Sequence, residues 1–156
     1  MEYQKILYHS AVGYLTIVSD DHYIRKIEFG KGEPDPDVQQ REAYPLLLQA
    51  ETQLLEYLNG KRRDFTLPLA ACGTPFQQAV WNALQLIPYG KTITYGQLAK
   101  MIDRPNAARA VGGGCNKNPI VIAIPCHRVI GANGTLTGFS GEITIKERLL
   151  ALSKRI

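Results

Sequence analysis

Cysteine is scarce in this 156-residue chain: three residues, Cys72, Cys115 and Cys126, an odd number with no Cys-x-x-Cys pair among them. A disulfide framework and a clustered zinc site are therefore both disfavoured, and at least one free thiol needs an explanation. The three histidines, His9, His22 and His127, show no ligand spacing with any cysteine, so no metal is expected. Long apolar runs are also missing. None approaches the roughly 20 residues that span a bilayer, and Met1-Glu2-Tyr3-Gln4-Lys5 lacks the basic-then-apolar order of a signal peptide, which makes a cytoplasmic protein without membrane contact the expectation. With 45% hydrophobic residues the chain can bury a real core, as one domain or as two small lobes.

Charge is unevenly spread. Residues 1–73 carry 8 Lys+Arg and 11 Asp+Glu, a net of −3, whereas residues 74–156 carry 10 and 3, a net of +7. The second half is the candidate for a polyanion partner, with salt-sensitive binding; a solvated basic face is the bland alternative.

The first thirty residues read as an antiparallel meander, Lys5–His9, Gly13–Ser19 and Tyr23–Phe29, with Asp20-Asp21-His22 as the last turn. A loop with Gly30, Gly32, Pro34 and Pro36 leads to a helix over Glu42–Leu58, with Pro45 in its first turn and Leu47, Ala50, Leu54, Tyr57 and Leu58 on one face. Asn59-Gly60 stops it. Residues 61–73 read as a short strand and a linker. Thr74-Pro75-Phe76-Gln77 then opens a capped helix whose apolar positions, Phe76, Ala79, Val80, Ala83, Leu84 and Ile87, share a stripe. The division expected is an N-terminal α/β lobe over 1–73 and a C-terminal domain over 74–156.

Two short helices follow. Thr94-x-x-Gln97 caps one over Tyr95–Ile102, and after Asp103-Arg104-Pro105 the residue Asn106 is placed to cap another carrying Ala107, Ala108, Arg109, Ala110 and Val111. The pair is a helix-turn-helix candidate, although such spacing also occurs in ordinary helical packing. A helix reading bases in the major groove should display Arg, Asn, Gln or Ser, yet this one shows alanines, Gly112-Gly113-Gly114 and a single Arg109. Small residues permit close approach to a shape-read minor groove and leave the arginine available for insertion into the base stack. Three glycines in a row also favour a helix end or a close helix contact.

Ile120–Ile124 is an apolar run suited to a buried strand that delivers Pro125-Cys126-His127-Arg128 at the edge of a core. A free thiol, with a reference pKa of about 8.5, needs help to become a nucleophile. His127 and Arg128 supply a base and a positive field. In extended backbone neighbouring side chains diverge, which predicts an indirect route from Cys126 through water to His127. Cys72 and Cys115 read as ordinary core residues.

Taken together, Ile124-Pro125-Cys126-His127-Arg128-Val129-Ile130, preceded by Asn106-Ala107-Ala108-Arg109-Ala110-Val111-Gly112 and by Asn118-Pro119, resembles the O6-alkylguanine-DNA alkyltransferases, the methylated-DNA–protein-cysteine methyltransferases. The resemblance runs from about Thr74 to Ala151, more loosely before that. It implies an α+β fold: a ribonuclease H-like antiparallel sheet with a helix, then a mostly helical, DNA-binding and alkyl-accepting domain with a winged-helix-like helix-turn-helix. It implies that Cys126 accepts the alkyl group of O6-methylguanine, more weakly of O4-methylthymine, once per molecule and without a cofactor. His127 would take the thiol proton through water, and Asn118 would brace the site. Tyr95 would crowd the phosphate, Arg109 would fill the gap left by the flipped nucleotide, Ala108 would lie on the DNA, and Val129 and Ser140 would contact the guanine. The partner would be double-stranded DNA carrying the lesion, bound through the minor groove by a monomer.

One position departs from the family's pattern: Ser153 stands where a glutamate usually orients the histidine. A neutral hydroxyl cannot stabilise an imidazolium as a carboxylate does, so the expectation is an active but less activated Cys126, with Ser153 or a displaced carboxylate in the orienting role. A lesion-binding relative without repair activity, which would characteristically lack the cysteine, and a Cys-His hydrolase, which would need an oxyanion hole, are the competing readings.

Overall fold

The computed structural model describes residues 1–136 and 143–153. Two compact units are present: Met1–Cys72 together with Pro119–Val121, and Gly73–Asn118 together with the chain from Ile122 onward.

The first unit is a four-stranded sheet with one helix. Strands β1 (Tyr3–His9), β2 (Gly13–Ser19) and β3 (Ile24–Gly30) form the antiparallel meander, and β4 (Gln39–Gln40) adds a short parallel edge on β1, giving the order β3-β2-β1-β4. Asp20 shapes the β2–β3 turn, since its Oδ1 accepts from the backbone N–H of His22 and Tyr23 at 2.9 and 2.7 Å. Such an Asx turn replaces backbone bonds that a tight reversal cannot make. The edge strand β4 had no signal in its own residues. What seats it is buried Gln4, whose side-chain amide donates to the carbonyls of Asp35 and Val38 and accepts from the N–H of Asp35.

Helix α1 (Pro45–Leu58) packs on β1 and β2 through Leu47, Ala50, Leu54, Tyr57 and Leu58, the anticipated stripe. It begins three residues later than the sequence reading because Pro45 occupies the first turn, where its missing N–H costs nothing. Gly60, at φ 75°, takes the left-handed conformation that ends it. Residues 61–73 do not form a strand. Only Leu69 bridges to Ile24, and the segment is held instead by reciprocal bonds between Gln53 and Thr66. Cys72, expected in a core, is exposed at the end of this stretch.

In the second unit, helix α2 (Pro75–Leu84) carries the capping box at Thr74 and Gln77 and buries Val80, Trp81, Ala83 and Leu84. Strand β5 (Ile93–Thr94), helix α3 (Tyr95–Met101) and helix α4 (Ala108–Asn116) follow, with a second capping box at Thr94 and Gln97. Asn106 does not cap α4: the N-cap is Ala107, with no side-chain bond, because Ala107 N–H closes a turn back to Arg104. The three glycines lie inside α4 rather than at its end. Gly114 explains the close-contact half of that reading, since an added Cβ there would sit 3.3 Å from Val80 Cγ2, and its carbonyl accepts from Trp81 Nε1 at 3.0 Å. Strand β6 (Val129–Ile130) pairs in parallel with β5, and helix α5 (Ile143–Leu152) completes the described part.

Ile120–Ile124 is buried as anticipated, apart from half-buried Ala123, but is not one strand. Pro119–Val121 runs beside β3, exchanging backbone bonds with Ile27, and the chain then turns at Ile122, which has φ 73°. A β-branched residue in that region is strained, and it is retained where the surrounding packing fixes the turn.

Candidate active site

The chain returns from the turn at Ile122 through Pro125, whose φ of −83° and ψ of 64° form an inverse γ-turn closed by Cys126 N–H on the Ile124 carbonyl at 2.8 Å. Cys126–Arg128 then makes one turn of 3-10 helix before β6. This replaces the extended backbone assumed from sequence, because Pro125 and the Arg128 N–H bond to the Pro125 carbonyl wind the segment. Cys126 is 2% exposed and His127 1% exposed, so the thiol lies inside the core and not at its edge.

Asn118 holds the two ends of this excursion together. Its Nδ2 donates to the Ile124 carbonyl at 2.7 Å, so that one oxygen receives both the γ-turn N–H and the Asn118 amide. The Asn118 side chain is also a hydrogen-bond partner that favours the ionised form of the Cys126 thiol. Arg128 anchors the far end: its guanidinium donates to the Ile87 carbonyl at 2.7 Å and lies 5.6 Å from the Tyr89 ring. The Pro88-Tyr89-Gly90 loop and the thiol turn are thereby tied to each other.

Three titratable neighbours set the electrostatics. Burial pushes the Cys126 thiol up from its ordinary value, opposed by Asn118 and by the charge of Lys146. Burial pushes His127 down to about 3, helped by the positive charges of Arg128 and Lys146, so the imidazole is neutral at physiological pH. Cys115, on α4, is pushed up to about 12 by burial, which leaves it protonated. Of the two residues weighed for the missing carboxylate's place, Ser153 donates its Oγ–H to the Leu150 carbonyl at 2.9 Å, and Glu147 is exposed.

The residue that sequence reasoning passed over is Lys146. It is fully buried on α5, donates to the Val129 carbonyl, and sits 5.9 Å from the Tyr95 ring. A signal was available, because Lys146 falls at the spacing of Leu149 and Leu152 on the one buried face of that helix, where periodicity calls for an apolar residue.

Register between β5 and β6, Ile93 with Val129 and Thr94 with Ile130, sets Tyr95 at the start of α3 beside the segment that follows the thiol turn. Val129 is fully buried and Tyr95 half-buried. Arg109 is exposed in the first turn of α4, next to half-buried Ala108. Ser140 lies outside the described residues. Cys126, His127, Asn118, Val129 and Tyr95 thus gather around one turn, while Ala108 and Arg109 occupy a separate helical surface. Among the described residues no cluster of three His, Cys, Asp or Glu side chains is arranged to hold a metal, and no helix is long and apolar enough to cross a membrane.

Two family models match the chain: the ribonuclease-like domain of 6-O-methylguanine DNA methyltransferase over residues 4–71, and its DNA binding domain over residues 75–155. A methylated-DNA–protein-cysteine methyltransferase of Methanosarcina acetivorans is 45% identical over 151 residues, covering 94% of this chain and 95% of the relative. One from Haemophilus influenzae is 45% identical over 150 residues, covering 94% and 84%. The crystal structure of Mycobacterium tuberculosis O6-methylguanine methyltransferase superposes with a TM-score of 0.90 at 38% identity, covering 99% of this chain and 93% of that one. The same organism's OGT in complex with DNA gives 0.87 at 38% identity, covering 98% and 92%. Both halves of the sequence are accounted for by these matches, and the chain belongs to the 6-O-methylguanine DNA methyltransferase family.

Proposed function

We propose that this protein repairs DNA by moving the alkyl group of O6-methylguanine, and more weakly of O4-methylthymine, onto Cys126 Sγ. The observation that carries the reading is the buried Cys126-His127-Arg128 turn clamped by Asn118, in a chain whose relatives are named for this transfer. In the reaction the Cys126 S–H bond gives up its proton, an S–C bond forms on the alkyl carbon as the C–O6 bond breaks, and the electron pair passes to the guanine. The guanine takes up a proton, balancing the one released. Because a thioether resists hydrolysis, each molecule acts once, and the chain's own residues supply the whole reaction without a cofactor.

A thiol this deep cannot reach a base that remains stacked in duplex DNA, so the nucleotide must be flipped out. Arg109, exposed on α4, suits the space it vacates, and Ala108 with Gly113 allows a close approach to the minor groove. Tyr95 and the Val129 backbone border the place where the base would arrive, and Ser140 is assigned there by resemblance. Neutral His127 acts as a conduit for the thiol proton through water. The protein works as a cytoplasmic monomer in this reading.

Incubation with duplex DNA bearing labelled O6-methylguanine tests it. One label per molecule, recovered on a peptide containing Cys126, is the expected result. Tight binding with no label would mean a lesion sensor, and continued release of labelled product would mean a hydrolase.

A further inference from the structure

Among the described residues the site contains two buried cations, Arg128 and Lys146. Arg128 donates to the Ile87 carbonyl, lies over the Tyr89 ring, and its charge acts on His127. Lys146 projects from α5, which packs directly on the Cys126–Arg128 turn, and its ammonium is held in place by the Val129 carbonyl, three residues beyond the thiol. We propose that Lys146, and not an imidazolium at His127, is the positive partner that stabilises the Cys126 thiolate in this protein. The proposal rests on the reading that Cys126 is the alkyl acceptor.

Several observations converge on this assignment. Lys146 is fully buried and donates to the Val129 carbonyl, and an anion that forms near a buried ammonium is stabilised by it. Among the described residues, Cys126 and Cys115 are the groups whose ionisation supports its charge. Among the described residues, Cys115 on α4, Cys126 and His127 on the turn, and the Tyr95 ring on α3 interact with it. Of the two thiols, only Cys126 is helped by the Asn118 side chain and by a backbone N–H, so it is the one that ionises against the lysine.

His127 is poorly placed for the same duty. An imidazolium would add a third positive charge beside Arg128 and Lys146 in a fully buried position. His127 moves the proton, and Lys146 holds the charge that the proton leaves behind.

Thiolate absorbance near the ultraviolet edge, followed against pH and corrected with matching C126S proteins, tests the assignment without DNA. In K146M the Cys126 midpoint should rise by about one pH unit or more, each unit reducing the thiolate about tenfold at neutral pH. K146R should restore much of the shift, since it keeps the charge, and H127N should leave the midpoint close to that of the unaltered protein. An unchanged midpoint in folded K146M overturns the proposal. A rise in H127N as large as that expected for K146M overturns it too, and this arm holds even if K146M does not fold. Failure of the acceptor assignment is distinguishable, because labelled DNA would then mark a residue other than Cys126 whatever the titration shows.

Discussion

Asn118 and Ile124 are joined by a buried hydrogen bond of 2.7 Å that closes an excursion of the five residues between them. Inside that excursion the backbone visits the sheet of the first unit, turns at strained Ile122 and comes back to present Pro125-Cys126. The bond is thus the point where the fold fixes the position of the thiol. Its acceptor also closes the γ-turn at Pro125, so removing the amide loosens both constraints at once.

Replacing Asn118 with Ala leaves a buried carbonyl with one donor fewer and deprives the thiol of a partner. The expected loss of stability is about 1–3 kcal/mol, the usual cost of an under-satisfied buried polar group. Transfer to Cys126 should slow as well. Denaturant melts and single-turnover rates on the same preparation would measure the two effects, and an N118A protein as stable and as fast as the parent would show that the clamp is dispensable.

Two neighbouring glycines in α4 should respond in opposite directions. A Cβ on Gly113 meets nothing within 4 Å, so G113A should gain roughly the helix-propensity difference of about 1 kcal/mol. A Cβ on Gly114 presses on Val80, which is fully buried and stiff, and G114A should lose about 1 kcal/mol despite the same propensity gain. G113A should nevertheless bind DNA more weakly, because the added methyl projects from the exposed surface that also carries Arg109. Thermal melts and DNA titrations of the pair separate packing from docking.

Local signals in the sequence carried much of this architecture. Both capping boxes are written in residues three apart, the buried stripe of α1 follows helical period, and α2 buries Val80, Ala83 and Leu84 of its stripe, with Trp81 added and Phe76 and Ala79 half-buried, so those elements were largely legible. Features made by distant residues were not. The edge strand β4 depends on the amide of Gln4 some thirty residues away, and the break in Ile120–Ile124 depends on Ile27 drawing Pro119–Val121 to the sheet. At the site, residue types announced Cys126 and His127, but their depth and the winding of the turn came from Pro125, Asn118 and Arg128 acting together. Lys146 was hidden for a simpler reason: a lysine on a helix reads as solvent-facing until the stripe it occupies is compared with Leu149 and Leu152.

Buried His127 gives stability a definite dependence on pH. Its folded value of about 3 lies below the unfolded value of 6.5, so the folded chain resists a proton that the unfolded chain accepts. The stability present above pH 6.5 is therefore lost progressively as pH falls toward 3. At pH 5 the loss from this one group should be about 2 kcal/mol, from the 1.36 kcal/mol carried by each pH unit. H127N cannot titrate, and the difference between its unfolding free energy and that of the parent should shrink or reverse across this window. A difference that stays constant from pH 7 to pH 5 would mean that His127 is protonated in the folded state.

Arg109 should matter for duplex substrates and not for the chemistry itself. It is exposed on the first turn of α4, away from the turn that holds Cys126, so its loss leaves the thiol, Asn118 and Lys146 in place. Extrusion of a paired nucleotide costs a few kcal/mol, and an arginine that occupies the vacated stack offsets part of that cost. R109A should therefore transfer from duplex DNA about tenfold or more slowly, the effect of losing at least 1.4 kcal/mol of that support, while its reaction with the free O6-alkylguanine base stays near the parent's rate. Placing the lesion opposite an abasic site should rescue it partly, since an unpaired base is easier to extrude. Equal slowing on the free base and on duplex would instead place Arg109 in the support of the active site, and unchanged rates on both would remove it from the flipping step.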